Sequence, residues 1–175
     1  YYMYLPALFI YKDIKQCNFK DSILQKYHPT PDFQQAFKHE KSGNFVMKYA
    51  SGQALVTLPF FIVGHMWASN STIYPADGFS FPYHFSVGVG LFLLSLLGMF
   101  YLRKVLLVYF KDRTVAALLI IYVIGTNYIN YAAVDQAMTH STLFTIYALL
   151  LWMTIRFYIA YESRYAIAIG ILTGL

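Results

Sequence analysis

The stretch TVAALLIIYVIGTNYINYAAVDQAMTHSTLFTIYALLLWMTI, residues 114–155, decides the fold class. The half before Asp135 carries no charge, and the half after it carries only His140. A helix needs about 20 apolar residues to cross the hydrocarbon core of a bilayer, so each half predicts a membrane span, with Asp135 at or near a membrane surface between them. An ionisable side chain at that level is costly and by default indicates a functional site. The alternative is a solvated acid that caps a helix beginning at Gln136.

Composition agrees with an integral membrane protein. The 175 residues are 58% hydrophobic, 19% aromatic and 12% charged, far from the balance of soluble domains. The formal net charge of +5 is spread along the chain without a block of five like charges, so we expect no nucleic-acid partner. The single cysteine, Cys17, excludes an internal disulfide. The chain begins at Tyr1 rather than Met and stops at Leu175 inside an apolar run, and we expect it to be a fragment of a longer protein.

The distribution of Lys and Arg predicts the orientation of the spans. Basic residues cluster at 103–113 and 156–164, whereas the loops around Asp77 and Asp135 contain none. By the positive-inside rule the two clusters are cytoplasmic and both acidic loops are external. The predicted spans lie at about 85–106, 114–133 and 138–157, and a further helix begins near 165 and runs to 175.

Residues 1–83 are predicted to form one large external loop ahead of a membrane domain at 84–175. An aromatic-rich helix at 1–14 would lie in the membrane interface, where Tyr side chains are favoured. The apolar stretch 50–76 is shortened by polar residues and interrupted by Pro59, so it resembles an interfacial or re-entrant helix. The alternative is that it spans, with the Lys-rich segment before it cytoplasmic. The expected fold is all-α: an integral membrane, multi-span helical bundle with a large external first loop of interfacial helices.

Five motifs follow one another in an order typical of a known enzyme class. They are YYMYLPALFIYKD at 1–13, KYASGQALVTLPFF at 48–61, HMWA at 65–68, PADGF at 75–79 and NYAAVDQAMTHSTLF at 130–144. With this order and the predicted topology, the chain resembles polytopic glycosyltransferases of the GT-C class, the family 39-like enzymes that include protein O-mannosyltransferases and lipid A aminoarabinose transferases. The resemblance covers nearly the whole chain, as the first external loop and the following helices of a longer enzyme.

The resemblance implies a membrane glycosyltransferase of the cell envelope, in a bacterial inner membrane with periplasmic or extracellular loops. Such an enzyme moves a sugar from a polyprenyl-phosphate donor to a lipid, glycan or protein acceptor. The family's catalytic base, an acid at the outer end of the first span, would precede Tyr1, so the fragment alone is expected to be inactive. Lys48, followed by Tyr49, matches the position that meets the donor phosphate. Asp135 matches a second acid at the start of a helix, although Gln136 stands where the family often has Pro.

Elementary chemistry supports these residue types. Breaking the glycosidic bond leaves a phosphate that gains negative charge, which a cation such as Lys48 would stabilise. An acceptor hydroxyl or amine needs a carboxylate to take its proton; the upstream acid is the better candidate, while Asp135 would orient the acceptor or bind a divalent metal. His65 and His140 are further candidates for substrate contact. The alternatives are an interfacial snorkelling lysine and hydrogen-bonded helix histidines, and Asp77 is expected to be a solvated loop acid.

Two other functions stay open. A transporter or flippase for lipid-linked sugars would share the external cavity but place broken helices at mid-membrane. Here Asn127 and Asn130 are the only amides deep in a predicted span, and they are expected near its outer end. A non-catalytic membrane scaffold would need neither Asp135 nor an isolated Lys48. No spacing of Cys and His predicts a metal site.

Overall fold

The structure, a computed structural model, describes residues 1–29, 33–136 and 138–175. These residues form two compact units, Tyr1–Val87 and Gly88–Leu175. The boundary between the units falls a few residues after the predicted start of the membrane domain. Most of the described residues are helical, which agrees with the prediction of a mainly helical protein.

A β-hairpin interrupts the helices of the first unit. The elements of this unit are α1 Tyr4–Phe9, α2 Lys20–Tyr27, β1 Ala36–Lys38, β2 Phe45–Met47 and α3 Gly52–Ser69. The two strands pair antiparallel, with Phe37 opposite Val46. The turn between them uses Gly43, whose φ of +68° lies in the left-handed region that favours glycine. The prediction of an all-α fold is therefore wrong at this hairpin.

Apolar and aromatic side chains hold the first unit together in two clusters. In the first cluster the ring of Tyr11 stacks on that of Phe19, with centroids 4.1 Å apart. In the second, α3 comes so close to Tyr83 that a Cβ on Gly64 would lie 2.8 Å from the Tyr83 Cα. The helix predicted at 1–14 is limited to α1. The buried members are Met3, Ala7, Cys17, Phe19 and Ile23 in the first cluster and Leu5, Ala54, Phe61, Ala68 and Tyr83 in the second.

The burial pattern of α3 is the reverse of that in a water-soluble helix. Several buried positions are small or polar, whereas many exposed positions are large and apolar. A surface helix of a soluble protein turns its apolar face inward, so the outward apolar face of α3 fits lipid better than water. The buried positions include Ala54, Thr57, Gly64 and Ala68, and the exposed ones include Leu55, Val63, Met66 and Trp67.

The helices that reach into and form the second unit are α4 Phe81–Leu106, α5 Asp112–Gly125, α6 His140–Ala160 and α7 Ser163–Gly174. Among the described residues, α4 and α6 are the two helices long and apolar enough to cross a membrane. They coincide with the predicted spans at 85–106 and 138–157. The predicted span at 114–133 is wrong as a continuous helix. α5 ends at Gly125 after about 21 Å, short of the roughly 30 Å hydrocarbon core.

Small side chains line the point where α4 meets α6. Thr145 donates a hydrogen bond to the carbonyl oxygen of Leu94 at 2.9 Å, and both Ser95 and Thr145 are buried. A Cβ on Gly98 would lie 2.6 Å from Oγ1 of Thr145 and 2.8 Å from the ring of Phe144. Small residues let helix backbones approach closely, as they do at helix contacts in membranes. This contact holds α4 and α6 together beside the candidate site.

Candidate functional site

The described residues between α5 and α6 have an irregular backbone. Thr126 is extended directly after the end of α5, and Asn130–Val134 form one π-helical turn. The N–H of Asp135 follows this turn and donates to the carbonyl oxygen of Asn130 at 2.7 Å. Single π-helical turns occur frequently at functional sites. We call residues 126–136 and 138–139 the break.

Asp135 does not cap α6. The helix begins at His140, and Thr139 occupies the N-cap position. The alternative interpretation, in which Asp135 caps a helix beginning at Gln136, is therefore wrong. The Asp135 side chain is exposed; within the described residues its carboxylate accepts one long hydrogen bond, from Nδ2 of Asn130 at 3.4 Å, and forms no ion pair. The carboxylate is thus available to a substrate group.

The break lies beside the interior of α4 rather than beside its end. A Cβ on Gly88 would lie 2.6 Å from Oε1 of Gln136, and the Tyr128 hydroxyl donates to Oγ of Ser95 at 3.3 Å. Gly88 and Ser95 lie about 10 and 21 Å along α4 from its first residue. Asn127, expected near the outer end of a span, adjoins Tyr128 and so lies nearer the middle of α4.

The start of α6 is recessed relative to the start of α4. Where the helices touch, Thr145 lies about 8 Å from the first residue of α6, whereas Leu94 lies about 20 Å from the first residue of α4. Both helices run the same way, since further along them Nζ of Lys104 lies 5.3 Å from the ring centroid of Trp152. The recess is therefore about 12 Å deep, and the break lies in it.

An aromatic cavity of about 210 Å³ lies between α5, the break and the first turns of α6. The ring of Tyr122 stacks on that of Phe144 at 5.3 Å, and the ring of His140 packs against that of Tyr131 at 4.3 Å. His140 therefore lines the cavity, and Asp135 follows the lining residue Tyr131 by about one turn. Polar groups are contributed by Thr126, Asn127 and Ser141.

Lys48 and Tyr49 lie at an exposed aromatic edge of the first unit. The backbone N–H of Lys48 donates to the carbonyl oxygen of Gln35 at 3.0 Å, which continues the hairpin pairing past β2. Nζ of Lys48 lies 5.3 Å from the centroid of the Tyr49 ring, and that ring stacks on Tyr1 at 4.4 Å. Lys48 is exposed and has no ion-pair partner in the described part of the chain. Its ammonium group is available to an anion.

His65 fits the alternative of a hydrogen-bonded helix histidine. On α3, its Nδ1 lies 2.6 Å from the hydroxyl of Tyr83, and its ring stacks on Phe61 with centroids 6.2 Å apart. Tyr83 is buried, so the contact contributes to the hydrogen bonding that a buried hydroxyl needs. His65 and Lys48 belong to the first unit, whereas Asp135 belongs to the second.

Asp77 joins α2 to the loop before α4, and the prediction that it is a solvated loop acid is wrong. Its side chain is 15% exposed. Oδ2 accepts hydrogen bonds from Nζ of Lys26 and the hydroxyl of Tyr27, each at 2.7 Å, and Oδ1 accepts from the N–H groups of Phe79 and Ser80. Burial raises the pKa of the Asp77 carboxyl, but these hydrogen bonds outweigh burial and leave that pKa below its ordinary value.

A metal centre has no preformed ligand set in residues 1–29, 33–136 and 138–175, where no three His, Cys, Asp or Glu side chains converge. A divalent ion at Asp135 would take its other ligands from substrate, water or residues beyond those described. Comparison with protein-family models, curated proteins and solved structures finds no match. The family resemblance therefore rests on the motifs and the predicted topology.

Proposed function

We propose that the chain is part of a membrane glycosyltransferase. The enzyme moves a sugar from a polyprenyl-phosphate donor to a lipid, glycan or protein acceptor at the external face of a bacterial inner membrane. The observation that carries the proposal is the Asp135 carboxylate, which is exposed and has no ion-pair partner among the described residues. It follows a π-helical turn beside a cavity lined by His140.

A bilayer around α4 and α6 would place the break below the external surface. Both helices expose large apolar side chains, among them Leu93, Phe100, Leu143 and Leu151. Because α6 is recessed by about 12 Å, the cavity would lie at the level of the outer leaflet. Irregular backbone is tolerated at that depth only where it is buried in protein or lines a water-filled cavity. Such a cavity suits a reaction between a lipid-bound donor and an acceptor that arrives from outside.

Asp135, His140 and Lys48 have defined roles in this reaction. Asp135 orients the acceptor hydroxyl or amine, and the acceptor proton passes to the upstream acid that the family resemblance implies. The aromatic walls of the cavity and the ring of His140 hold the sugar, since ligand sites combine apolar surface with a few polar groups. Lys48 stabilises the charge that develops on the donor phosphate as the glycosidic bond breaks.

A transporter or flippase for lipid-linked sugars is the second candidate. The end of α5 at Gly125 and the break beside the middle of α4 favour it, because transporters bind substrates where helices are discontinuous near the membrane centre. The two functions use the same ligand and differ in outcome. An enzyme releases polyprenyl phosphate, whereas a transporter moves the intact lipid-linked sugar.

Asp135→Asn in the full-length protein tests the proposal. The amide keeps the size of the side chain but loses its charge. Turnover of a panel of polyprenyl-phosphate hexoses in proteoliposomes should therefore fall about a hundredfold. The melting temperature should stay the same, because the carboxylate has no ion-pair partner in the described residues. Released polyprenyl phosphate is measured by mass spectrometry.

Asp112→Asn is the matched control. Asp112 is another exposed acid of the second unit, paired with Arg103 at 2.7 Å, and its loss should leave turnover at the wild-type level. Unchanged turnover in Asp135→Asn would remove Asp135 from the reaction. If the wild-type protein moves lipid-linked sugar across the bilayer without releasing polyprenyl phosphate, the transporter replaces the enzyme.

A further inference from the structure

Two basic side chains share one aromatic ring near the C-terminal ends of α4 and α6. Nζ of Lys104 lies 5.3 Å from the ring centroid of Trp152, and Cζ of Arg156 lies 6.0 Å from the same centroid. Lys104 also lies 4.6 Å from the ring of Phe100, and Arg156 donates from Nε and Nη2 to the hydroxyl of Tyr165 at 3.3 and 3.1 Å. Both basic side chains are half-buried.

Lys104 and Arg156 have no acidic partner in the part of the chain that the structure describes. Their known contacts are with neutral rings and one hydroxyl. Partly desolvating two cations without a counter-charge is costly, and like charges around one ring repel each other. An anion bound by both would relieve the repulsion and supply the missing counter-charge. Two neighbouring basic residues do have acidic partners, in the pairs Arg103–Asp112 and Arg164–Glu162, and the other two, Lys111 and Arg113, are exposed to solvent.

We infer that Lys104, Arg156 and Trp152 bind the phosphate headgroup of an anionic phospholipid in the inner leaflet. The positive-inside rule places this end of both helices on the cytoplasmic side, and Trp is favoured at headgroup level. Basic pockets between transmembrane helices on that side bind anionic headgroups. The inference rests on α4 and α6 crossing a bilayer and is independent of sugar transfer.

An apolar cavity at the same end of the helices offers room for part of an acyl chain. It has a volume of about 480 Å³, and Val105, Leu151, Ile155 and Tyr158 contribute to its walls. Ile155 of this cavity follows Trp152 by three residues on α6, a spacing at which side chains are neighbours, so the cavity lies on the face of α6 next to the headgroup site. A free phosphate ion would gain nothing from this cavity, which favours a lipid as the source of the phosphate.

Lipid binding to the full-length protein tests the site. Dioleoyl phosphatidylglycerol is titrated into the detergent-solubilised protein, with dioleoyl phosphatidylcholine as the zwitterionic reference, and bound lipid is counted by native mass spectrometry. We expect the wild-type protein to bind the anionic lipid at least tenfold more tightly than the zwitterionic one. The double variant Lys104→Gln/Arg156→Gln should lose this preference. Arg103→Gln/Arg164→Gln removes the same formal charge from the same region and should keep it.

Four outcomes would overturn the inference or identify another ligand. Equal affinity of the wild-type protein for both lipids overturns it. Equal loss of preference in both double variants also overturns it, because that result indicates general snorkelling to any interface. Displacement of bound phosphatidylglycerol by inorganic phosphate would replace the lipid with a soluble anion. If the first double variant does not fold, the single variants Lys104→Gln and Arg103→Gln are compared instead, and equal preference in those two overturns the inference.

Discussion

Gly98→Ala should force apart the contact between α4 and α6. The added Cβ would lie 2.6 Å from Oγ1 of Thr145 and 2.8 Å from a ring carbon of Phe144, both well inside van der Waals contact. Thr145 cannot easily turn away, because its β-branched side chain is stiff and its hydroxyl donates to the carbonyl oxygen of Leu94. The helices must therefore separate, or Phe144 must move into the cavity that it lines.

A matched glycine isolates the packing part of this effect. Overpacking a close contact costs about 1–3 kcal/mol, whereas Ala in place of Gly within a helix contributes up to about 1 kcal/mol of stability. Gly170 lies in α7, and no atom lies within 4 Å of a Cβ added there. Gly170→Ala therefore changes stability only through the better helix propensity of Ala. We expect Gly98→Ala to have a free energy of unfolding about 1–3 kcal/mol below that of Gly170→Ala.

Reversible unfolding of the full-length protein in mixed detergent micelles with increasing dodecyl sulfate measures both variants under the same conditions. Far-ultraviolet circular dichroism reports the loss of helix. Equal free energies of unfolding for Gly98→Ala and Gly170→Ala would refute the close α4–α6 contact. The recess of about 12 Å at the start of α6 is measured from that contact and would be refuted with it.

Two further predictions concern the first unit. Lys48→Ala should lower the rate of sugar transfer by at least tenfold, whereas Lys41→Ala, at an exposed lysine of the hairpin, should leave that rate unchanged. Lys48→Arg should keep only part of the wild-type rate, because the two cations differ in shape and hydration. A wild-type rate in Lys48→Ala would exclude a contact between Lys48 and the donor phosphate. Asp77→Asn should lower the free energy of unfolding by about 1–3 kcal/mol, through lost charge-assisted hydrogen bonds, whereas Asp21→Asn, at an exposed ion pair, should cost less than about 1 kcal/mol. Because the pKa of Asp77 is lower in the folded than in the unfolded protein, the ionised carboxylate stabilises the fold above the unfolded pKa. This stabilisation is lost as the pH falls below about 4. If unfolding curves recorded at a series of pH values show the same pH dependence for wild type and Asp77→Asn, the prediction is contradicted.

Hydrophobic length predicted α4 and α6 but could not predict where α5 ends. Thr126 and Asn127 are uncharged, so they leave the apolar run before Asp135 long enough to span. The signal that was present is local and weak. Gly125 is a poor helix former, and the Thr126 hydroxyl bonds the carbonyl oxygen of Tyr122 at 2.6 Å, a contact that often bends helices.

The candidate site depends on contacts between residues that are far apart in sequence. The sequence marked Asp135 and His140 as candidates, but the cavity lined by His140 also needs Tyr122 from α5, which no motif marked. Asp77 was expected to be a solvated loop acid, and no local pattern indicated its partner Lys26, which lies on α2, on the far side of the β-hairpin in sequence. A single sequence shows hydrophobic periodicity and turn residues, but it does not show which side chains far apart in the chain will be in contact.

The contact between α4 and α6 also bears on the choice between enzyme and transporter. Alternating access requires a cavity to open in turn to both sides of the membrane. Here the cavity reaches Phe144, whose ring lies against Gly98, and the neighbouring Ser95 and Thr145 are buried. At this crossing the side chains of α6 touch the backbone of α4 and close the space between the two helices. Sugar transfer needs access from one side only, so a contact below a recessed cavity fits the proposed enzyme. A transporter would in addition have to separate α4 from α6 at Gly98 in its other state.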